Sequence, residues 1–479
     1  MKRLLVVLIS LGCFSQLQAQ NFKVTLKTPN YKSGIAYLTY HMGKNLNVED
    51  SAAINNKGIA VFTGKRKLPG GIYSIVFPGK NKSVDFFIHK EQIISISSDT
   101  TDLLNKTVVT GSKEHILFAQ YQKATAAKIS LLNKEKVAYS KSTTAADSAM
   151  HEKKYLEYNT ELNNYREGII KKYPKSMMTV ILNGMRDPKT MDKIPVTHQD
   201  SLDNYYYYRA HYWDGITFMD ERVIRTPFFL PRFERYYREI IPQAPDSIIK
   251  EADYQLLLAR TCPEMYKFLL NWLTDEYINP KYMGQDKVFL HLFNKYHSKG
   301  LTPWLSEKQH ETISRQAYMI MANVIGDPAA NLKMVDTAGN LTPLYSVAAD
   351  FTVVCFWDPT CGHCKEEVPR VDSIYKANWK KHNVKIYGVL SADIKDNIVS
   401  DWKKYITEHA LGEWVNVYQT KEMKEAEEKA GEWGYHQLFN ITTTPTLYLL
   451  DKEKRIVGKK LTWDQINDLL QVKMAAQNN

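Results

Sequence analysis

Short stretches in which apolar and polar residues alternate follow one another through the first part of the chain. They are FKVTL (22–26), IAYLTY (35–40), IAVFTG (59–64), IYSIVF (72–77), VDFFIH (84–89) and QIISIS (92–97). Turn-forming pairs, among them Pro69-Gly70 and Pro78-Gly79, separate the stretches. Many short strands at such a spacing predict an antiparallel β-sandwich over residues 20–111.

From residue 112 to 325 the apolar positions follow a helical period instead. One helix face carries apolar and aromatic residues three or four positions apart: Tyr155, Tyr158, Leu162, Tyr165, Ile169 and Tyr173. Further helices are predicted at 232–241, 247–259, 264–278, 286–299 and 306–324. This pattern predicts an all-α domain, in which the aromatic face packs on neighbouring helices or forms a dimer seam.

Strands and helices alternate in the last part, residues 326–479. A continuous apolar run, FTVVCFW (351–357), is followed by a predicted helix (361–378), the strand VKIYGVL (384–390), and a helix near 395–410. The strand WVNVYQ (414–419), a helix near 421–438, and the hairpin formed by TLYLL and IVGKK complete the pattern. Such alternation predicts an α/β domain, so the whole chain is predicted to be multidomain.

The N-terminal residues have the order of a secretory signal peptide. Lys2-Arg3 are followed by the apolar run 4–14 and by polar residues up to Ala19. The run is too short to span a hydrocarbon core about 30 Å thick as a helix. We therefore predict a signal peptide over 1–19 and export to the periplasm or cell envelope; a lipoprotein signal ending at Cys13 is the alternative.

The composition is that of an ordinary globular protein, with 479 residues, 44% hydrophobic and 24% charged. The formal net charge is +11. The excess lysines and arginines are scattered upstream of residue 326 and form no basic stripe, so nucleic acid is not a predicted partner. The sequence does not predict the oligomeric state.

Two cysteines spaced by two residues, in CGHC (361–364), carry the most specific chemistry in the chain. A structural zinc site needs about four ligands, and haem attachment needs a histidine directly after the second cysteine, where Lys365 stands. A peroxide-reducing cysteine usually follows a threonine or serine by three residues, and Asp358 occupies that place. Electron transfer is the best interpretation, and neither a metal nor a cofactor is predicted.

The predicted start of a helix at Cys361 explains how the pair would work. The positive end of the helix dipole favours the Cys361 thiolate and lowers its pKa, while Cys364 lies one turn further along. A thiolate attacks a disulfide, and a second thiol resolves the mixed disulfide that forms. His363, between the two cysteines, is expected to stabilise the thiolate and to make the disulfide more oxidising.

At this point the chain resembles the exported TlpA/ResA-like thiol–disulfide oxidoreductases of the thioredoxin fold. The resemblance rests on Phe356-Trp357 before the pair, on Pro369 after it, and on Thr444-Pro445 before a strand, where the family has a cis-proline. The tetrapeptide CGHC is similar to that of protein disulfide isomerases. The residues upstream of 326 resemble uncharacterised domains found ahead of such domains.

The resemblance implies a role for each matching residue. Cys361 would be the nucleophile and Cys364 the resolving thiol, together forming a redox-active disulfide. His363 would tune the potential and Glu367 would accept a proton. A substrate groove would be shaped by Trp357, Thr444 and Pro445. One position departs from the family pattern: thioredoxins have a buried carboxylate where this chain has Cys355, which is expected to be a small core residue.

The predicted function is thus that of a periplasmic thiol–disulfide oxidoreductase, a reductase or isomerase. Its expected partners are envelope proteins with thiols or disulfides and a membrane electron donor. The alternative is an envelope binding or scaffold protein, in which the two upstream domains bind a protein or glycan and the thioredoxin fold is only a support. The sequence does not predict the direction of electron flow.

Overall fold

The structure is a computed structural model that describes residues 21–191, 194–392 and 397–477. The predicted signal peptide and Cys13 lie outside the described residues. Among the described residues, those from 21 to 241 together with Gln255–Phe268 form one compact unit, and Pro242–Tyr254 together with the residues from 269 to 477 form a second. The predicted domain limits at 111/112 and 325/326 stay predictions.

The first unit begins with two four-stranded sheets that share one core. The strands are β1 Phe22–Lys27, β2 Ile35–Met42, β3 Asn45–Ala53, β4 Ile59–Gly64, β5 Gly71–Val76, β6 Ser83–Ile88, β7 Ile93–Ser98 and β8 Thr107–Thr110. The sheet orders are β4-β1-β7-β8 and β3-β2-β5-β6. Val24 and Ile94 of one sheet and Leu38 and Phe86 of the other belong to the same buried cluster, which confirms the predicted sandwich.

The sandwich differs from the prediction in two respects. The prediction of a purely antiparallel sandwich is wrong at one place, because β1 and β7 pair in parallel. In addition, β3 was not predicted: most of its residues are exposed or half-buried, so it lacks the alternation that marks the other strands. It pairs along β2 across the turn at Gly43, whose φ is +58°, a value that favours glycine.

The middle of the chain is helical, as predicted. Its helices are α1 Lys113–Lys141, α2 Ala145–Lys172, α3 Met177–Met185, α4 His198–Ala210, α5 Phe229–Arg235, α6 Pro245–Ala259, α7 Pro263–Ile278, α8 Asp286–Leu292 and α9 Glu307–Met321. Two π-helical segments, Tyr236–Ile240 and Phe293–His297, extend α5 and α8. The region includes π-helical turns, which the apolar spacing did not reveal.

Helices α1 and α2 each begin at a hydroxyl cap. Ser112 and Thr144 accept hydrogen bonds from the backbone N–H groups of His115 and Asp147, which satisfies donors that the first helical turn leaves free. On the aromatic face of α2, Leu162 and Ile169 are buried. Tyr165 and Tyr173 of the same face are exposed, so the prediction that the face packs within the protein holds for only part of it. The alternative of a dimer seam stays a prediction.

The C-terminal part is built on a six-stranded mixed sheet. Its strands are β9 Val335–Asp336, β10 Phe351–Trp357, β11 Val384–Leu390, β12 Val415–Tyr418, β13 Thr446–Leu450 and β14 Ile456–Lys459, in the order β14-β13-β10-β11-β12-β9. β10 pairs in parallel with β11 and antiparallel with β13. Every residue of β10 is buried, because helices cover both faces of such a sheet.

The helices that accompany this sheet in the described residues are α10 Gly362–Ala377, α11 Ile398–Glu408, α12 Lys421–Ala430, α13 Tyr435–Leu438 and α14 Trp463–Gln477. The single helix predicted near 421–438 is wrong, since Gly431 adopts a left-handed conformation (φ +68°) and ends α12. Throughout the described ranges, no helix combines the length and apolar character needed to cross a membrane.

Candidate active site

The two cysteines lie where β10 ends and α10 begins. Cys361 caps the N-terminus of α10, and its backbone N–H donates to the carbonyl of Asp358 (N to O 3.2 Å). The Asp358 carboxylate accepts from both the backbone N–H and the hydroxyl of Thr360, each at 2.7 Å. These bonds hold the turn that presents Cys361 at the carboxyl edge of the sheet.

The two thiols differ in their exposure to solvent. Cys361 is half-buried, whereas Cys364, one helical turn later, is only 1% exposed and belongs to the main core of the domain. Both are free thiols in the structure, the reduced form of the predicted pair. Only Cys361 is therefore available to a protein-sized disulfide.

The environment of Cys361 favours its thiolate. Burial acts to raise the pKa, but hydrogen bonds from the backbone N–H groups of Cys364 and His363 and from the side chains of Thr444 and Cys364 outweigh it. The net effect is a pKa below the ordinary cysteine value. This is the direction predicted from the position of Cys361 at a helix N-terminus.

The environment of Cys364 has the opposite effect. Burial is the largest cause and raises the pKa of Cys364 to about 12, and proximity to Cys361 adds to the rise. The backbone N–H of Asp358 donates to its sulfur (N to Sγ 3.4 Å). Cys364 is thus held as a protonated thiol, mainly by its burial.

The chain segment before β13 closes the other side of the pair. The Cys361 thiol donates to the carbonyl of Thr444 (Sγ to O 3.4 Å), and the Thr444–Pro445 peptide bond is cis. The predicted cis-proline is confirmed. Thr444 and Pro445 are both half-buried, so a substrate can reach them; their predicted contribution to a substrate groove stays a prediction.

Trp357 occupies a different position from the one predicted for a groove residue. Its side chain is fully buried in the cluster that contains Cys364. Its ring packs against that of Tyr405, with 5.3 Å between the ring centroids. In this conformation the indole lies in the core beside Cys364, and its predicted contribution to a substrate groove stays a prediction.

His363 and Glu367 both lie on α10, toward solvent. His363 is exposed, and Glu367 is half-buried and accepts a hydrogen bond from Arg370 (2.7 Å). Their predicted roles in tuning the potential and accepting a proton stay predictions. Glu367 forms an ion pair with Arg370 on the surface of α10.

Cys355 confirms the expectation of a core residue. It is fully buried on β10, opposite Leu447 of β13 and Gly388 of β11. Burial raises the pKa of the Cys355 thiol, and the charge of Cys364 adds to the effect. A thiol with a raised pKa stays protonated.

Asp358 and Tyr405 are not among the predicted site residues. Asp-Pro-Thr before a helix is nevertheless a sequence signal for a turn stabilised by the aspartate side chain. Tyr405 comes from α11, and no local pattern connects it with the cysteines. Burial and the charge of Cys364 raise the pKa of its phenol. Within the described part of the chain, no cluster of metal-ligating side chains was found.

Comparisons with known proteins agree with this geometry. Residues 325–459 match the AhpC/TSA family model. The C-terminal part of the chain is therefore similar to the AhpC/TSA family. Ahead of the AhpC/TSA domain, residues 22–118 and 150–323 match two domains of unknown function, DUF4369 and DUF5106. The predicted resemblance, a thioredoxin-like domain preceded by uncharacterised domains, is thereby confirmed.

Several solved structures are similar to parts of the chain. A thioredoxin-like protein from Bacteroides caccae is 20% identical, over 60% of this chain and 98% of that one, with a TM-score of 0.45. A domain of a possible thiol-disulfide isomerase from Cytophaga hutchinsonii is 31% identical, over 33% and 97%, with a TM-score of 0.28.

A thiol:disulfide interchange protein from Bacteroides sp. is 28% identical, over 32% of this chain and 90% of that one, with a TM-score of 0.27. No curated protein matches the chain. Residues 325–459 thus form a thioredoxin-like domain that is similar to the AhpC/TSA family.

Proposed function

We propose that the chain is an exported thiol–disulfide oxidoreductase that exchanges disulfides with envelope proteins through Cys361 and Cys364. The observation that carries the proposal is the asymmetry of the pair. Cys361 is accessible with a lowered pKa, and Cys364 is buried with a pKa raised to about 12. Attack and resolution are different tasks, and each thiol has the environment that its task needs.

The exchange proceeds in two steps when the pair acts as a reductant. The Cys361 thiolate attacks one sulfur of the substrate disulfide, forms a mixed disulfide, and releases the other substrate sulfur as a thiolate. Cys364 then loses its proton and attacks Cys361, which forms the Cys361–Cys364 disulfide and releases the second substrate thiolate. Two electrons pass from the pair to the substrate, and a dithiol donor must return them.

The same steps in reverse oxidise a substrate, so the geometry serves a reductase or an isomerase equally. Thr444 and Pro445 present backbone beside Cys361 and would align the substrate chain. His363 would tune the potential, and Glu367 or solvent would take the proton from Cys364. The chemistry of the two sulfurs requires no cofactor. The apolar N-terminal run supports export, and a membrane electron donor is the proposed source of the two electrons.

Trapping of the mixed disulfide tests the proposal. In the Cys364→Ser variant the second step is blocked, so disulfide-linked adducts with envelope proteins should accumulate and disappear on reduction. The Cys361→Ser variant, with the same loss of one thiol, should form none. Cys262→Ser, which removes a buried thiol outside the pair, is the matched control. Absence of adducts with Cys364→Ser in the cell envelope would contradict the proposal.

A further inference from the structure

A large cavity lies beside the loop that carries the cis-proline. It has a volume of about 810 Å³, and its wall includes Thr442, which is two residues before Thr444. Two residues of extended chain span at most about 7 Å. Thr442 of the cavity wall therefore lies within about 7 Å of Thr444, whose carbonyl accepts a hydrogen bond from the Cys361 thiol. We call this cavity the basic cavity.

The basic cavity is strongly cationic. Among the described residues that line it, the charged side chains are Lys281, Arg315, Lys459 and Lys460 against Asp286 alone. Asp286 is bound to Lys459, whose ammonium also donates to the backbone and side-chain oxygens of Asn323 (2.7 and 3.0 Å). The one anion of the wall is thus already neutralised by a fixed cation.

The remaining cations are available to a ligand. Lys281, Arg315 and Lys460 are exposed, and none of them has an ion-pair partner within 4.0 Å among the residues that the structure describes. Tyr282 and Met283, at the same rim, are 56% and 47% exposed. The rim therefore offers three positive charges next to an apolar surface.

We propose that the basic cavity binds an acidic segment of the protein substrate, and that it makes the oxidoreductase prefer disulfides flanked by aspartate or glutamate. This inference rests on the proposed function. Peptide segments with carboxylates and apolar side chains match both the cations and the exposed Tyr282 and Met283. Lys281, Tyr282 and Met283 lie between α7 and α8, and Arg315 lies on α9. The helical region thus supplies part of the substrate site.

Two disulfide-containing peptides of equal length test the proposal, one with glutamate and one with glutamine beside the cysteines. The wild-type protein should reduce the glutamate peptide about tenfold faster at low substrate concentration, since three exposed ion pairs that are weak one by one act together. The preference should decrease as salt is added, because the Debye length falls from about 30 Å at 0.01 M to about 10 Å at 0.1 M.

The triple variant Lys281→Gln, Arg315→Gln and Lys460→Gln should lose the preference and keep the wild-type rate on the glutamine peptide. A triple variant of exposed lysines outside the cavity, Lys299→Gln, Lys308→Gln and Lys452→Gln, has the same change in net charge and should keep the preference. Equal wild-type rates on both peptides, or an equal loss in both triple variants, would overturn the proposal.

The peptide experiment gives a different result if the proposed function is wrong. If neither peptide is reduced, the proposed activity is wrong, and peptide binding still tests the cavity. Fluorescence anisotropy of the labelled peptides with the Cys361→Ser protein should then show tighter binding of the glutamate peptide. Adding the Lys281→Gln, Arg315→Gln and Lys460→Gln substitutions to this protein should remove the difference in affinity. Equal affinities in this measurement would overturn the cavity proposal by itself.

Discussion

The sandwich and the C-terminal sheet are both built from short strands, yet only one of them carries chemistry. β1 of the sandwich alternates between buried and exposed residues, whereas β10 is buried along its whole length. A sheet covered on both faces leaves its strand ends as the accessible backbone edge, and parallel strands align their carboxyl ends there. Cys361 follows β10 at that edge.

This difference between the two regions indicates that the reactive residues lie at the edge of the C-terminal sheet and not in the sandwich. The sandwich core depends on large apolar side chains such as Phe62, Tyr73 and Phe86, all fully buried. The C-terminal sheet places a half-buried thiol, a buried thiol and the carbonyl of Thr444 within one small region. Changes in the first region should alter stability alone, and changes in the second should alter reactivity.

Replacement of the attacking thiol should have the largest effect. Cys361→Ser should lower the rate of protein disulfide reduction by at least about 10³-fold, because residues that act as a unit fail together when one is removed. Insulin reduction with a dithiol donor measures it. Cys262→Ser should keep the wild-type rate, and residual activity of Cys361→Ser above a tenth of wild type would contradict the assignment.

A large-to-small substitution in the sandwich core should lower stability without changing the reactivity of the cysteines. Phe62 is fully buried, so Phe62→Ala should lower the free energy of unfolding of the first unit by about 3–5 kcal/mol. Val61→Ala, on the same strand but at an exposed position, is the control and should cost far less. Denaturant unfolding measures the loss, and the alkylation rate of Cys361 should match wild type; a changed rate would break the comparison.

The pH dependence of alkylation should separate the two thiols. The lowered pKa of Cys361 means that it is protonated and slow below that pKa, and that its rate rises with pH to a plateau above it. The midpoint should lie below the ordinary cysteine value. Cys364, with a pKa of about 12, should stay protonated and react slowly in Cys361→Ser. Iodoacetamide modification followed by mass spectrometry measures both, and similar midpoints would contradict the asymmetry.

The smallest expected effect concerns His363. If its side chain stabilises the thiolate, His363→Ala should make the reduction potential more negative by about 30 mV, equivalent to about 1.4 kcal/mol. His382→Ala, which removes an exposed histidine after α10, is the control. An unchanged potential in His363→Ala would remove His363 from the list of tuning residues.

Most of the fold could be predicted because its patterns are local. Alternation marks β1, and a continuous apolar run marks β10. The parallel pairing of β1 with β7 could not be predicted, since the two strands are far apart along the chain and their alternation is the same for either direction. The break at Gly431 was missed because its neighbours continue the helical composition.

Part of the candidate site could also be predicted from the sequence. The position of Cys361 and Cys364 follows from a predicted strand that ends at Trp357 and a predicted helix that begins at Cys361. The place of Thr444-Pro445 follows from the family resemblance. The burial of Trp357 under Tyr405 depends on α11, which lies elsewhere in the sequence. The basic cavity combines residues from α9 and β14 with the loop at Thr442, a combination that only the folded chain reveals.

Equilibration of the purified protein against glutathione buffers tests the central claim most directly. The oxidised and reduced forms of the Cys361–Cys364 pair should interconvert fully and reversibly. Their potential should lie between that of thioredoxin, about −270 mV, and that of protein disulfide isomerase, about −180 mV. A pair that does not equilibrate with glutathione at any ratio would contradict the account, and the thioredoxin fold would then serve this chain only as a scaffold.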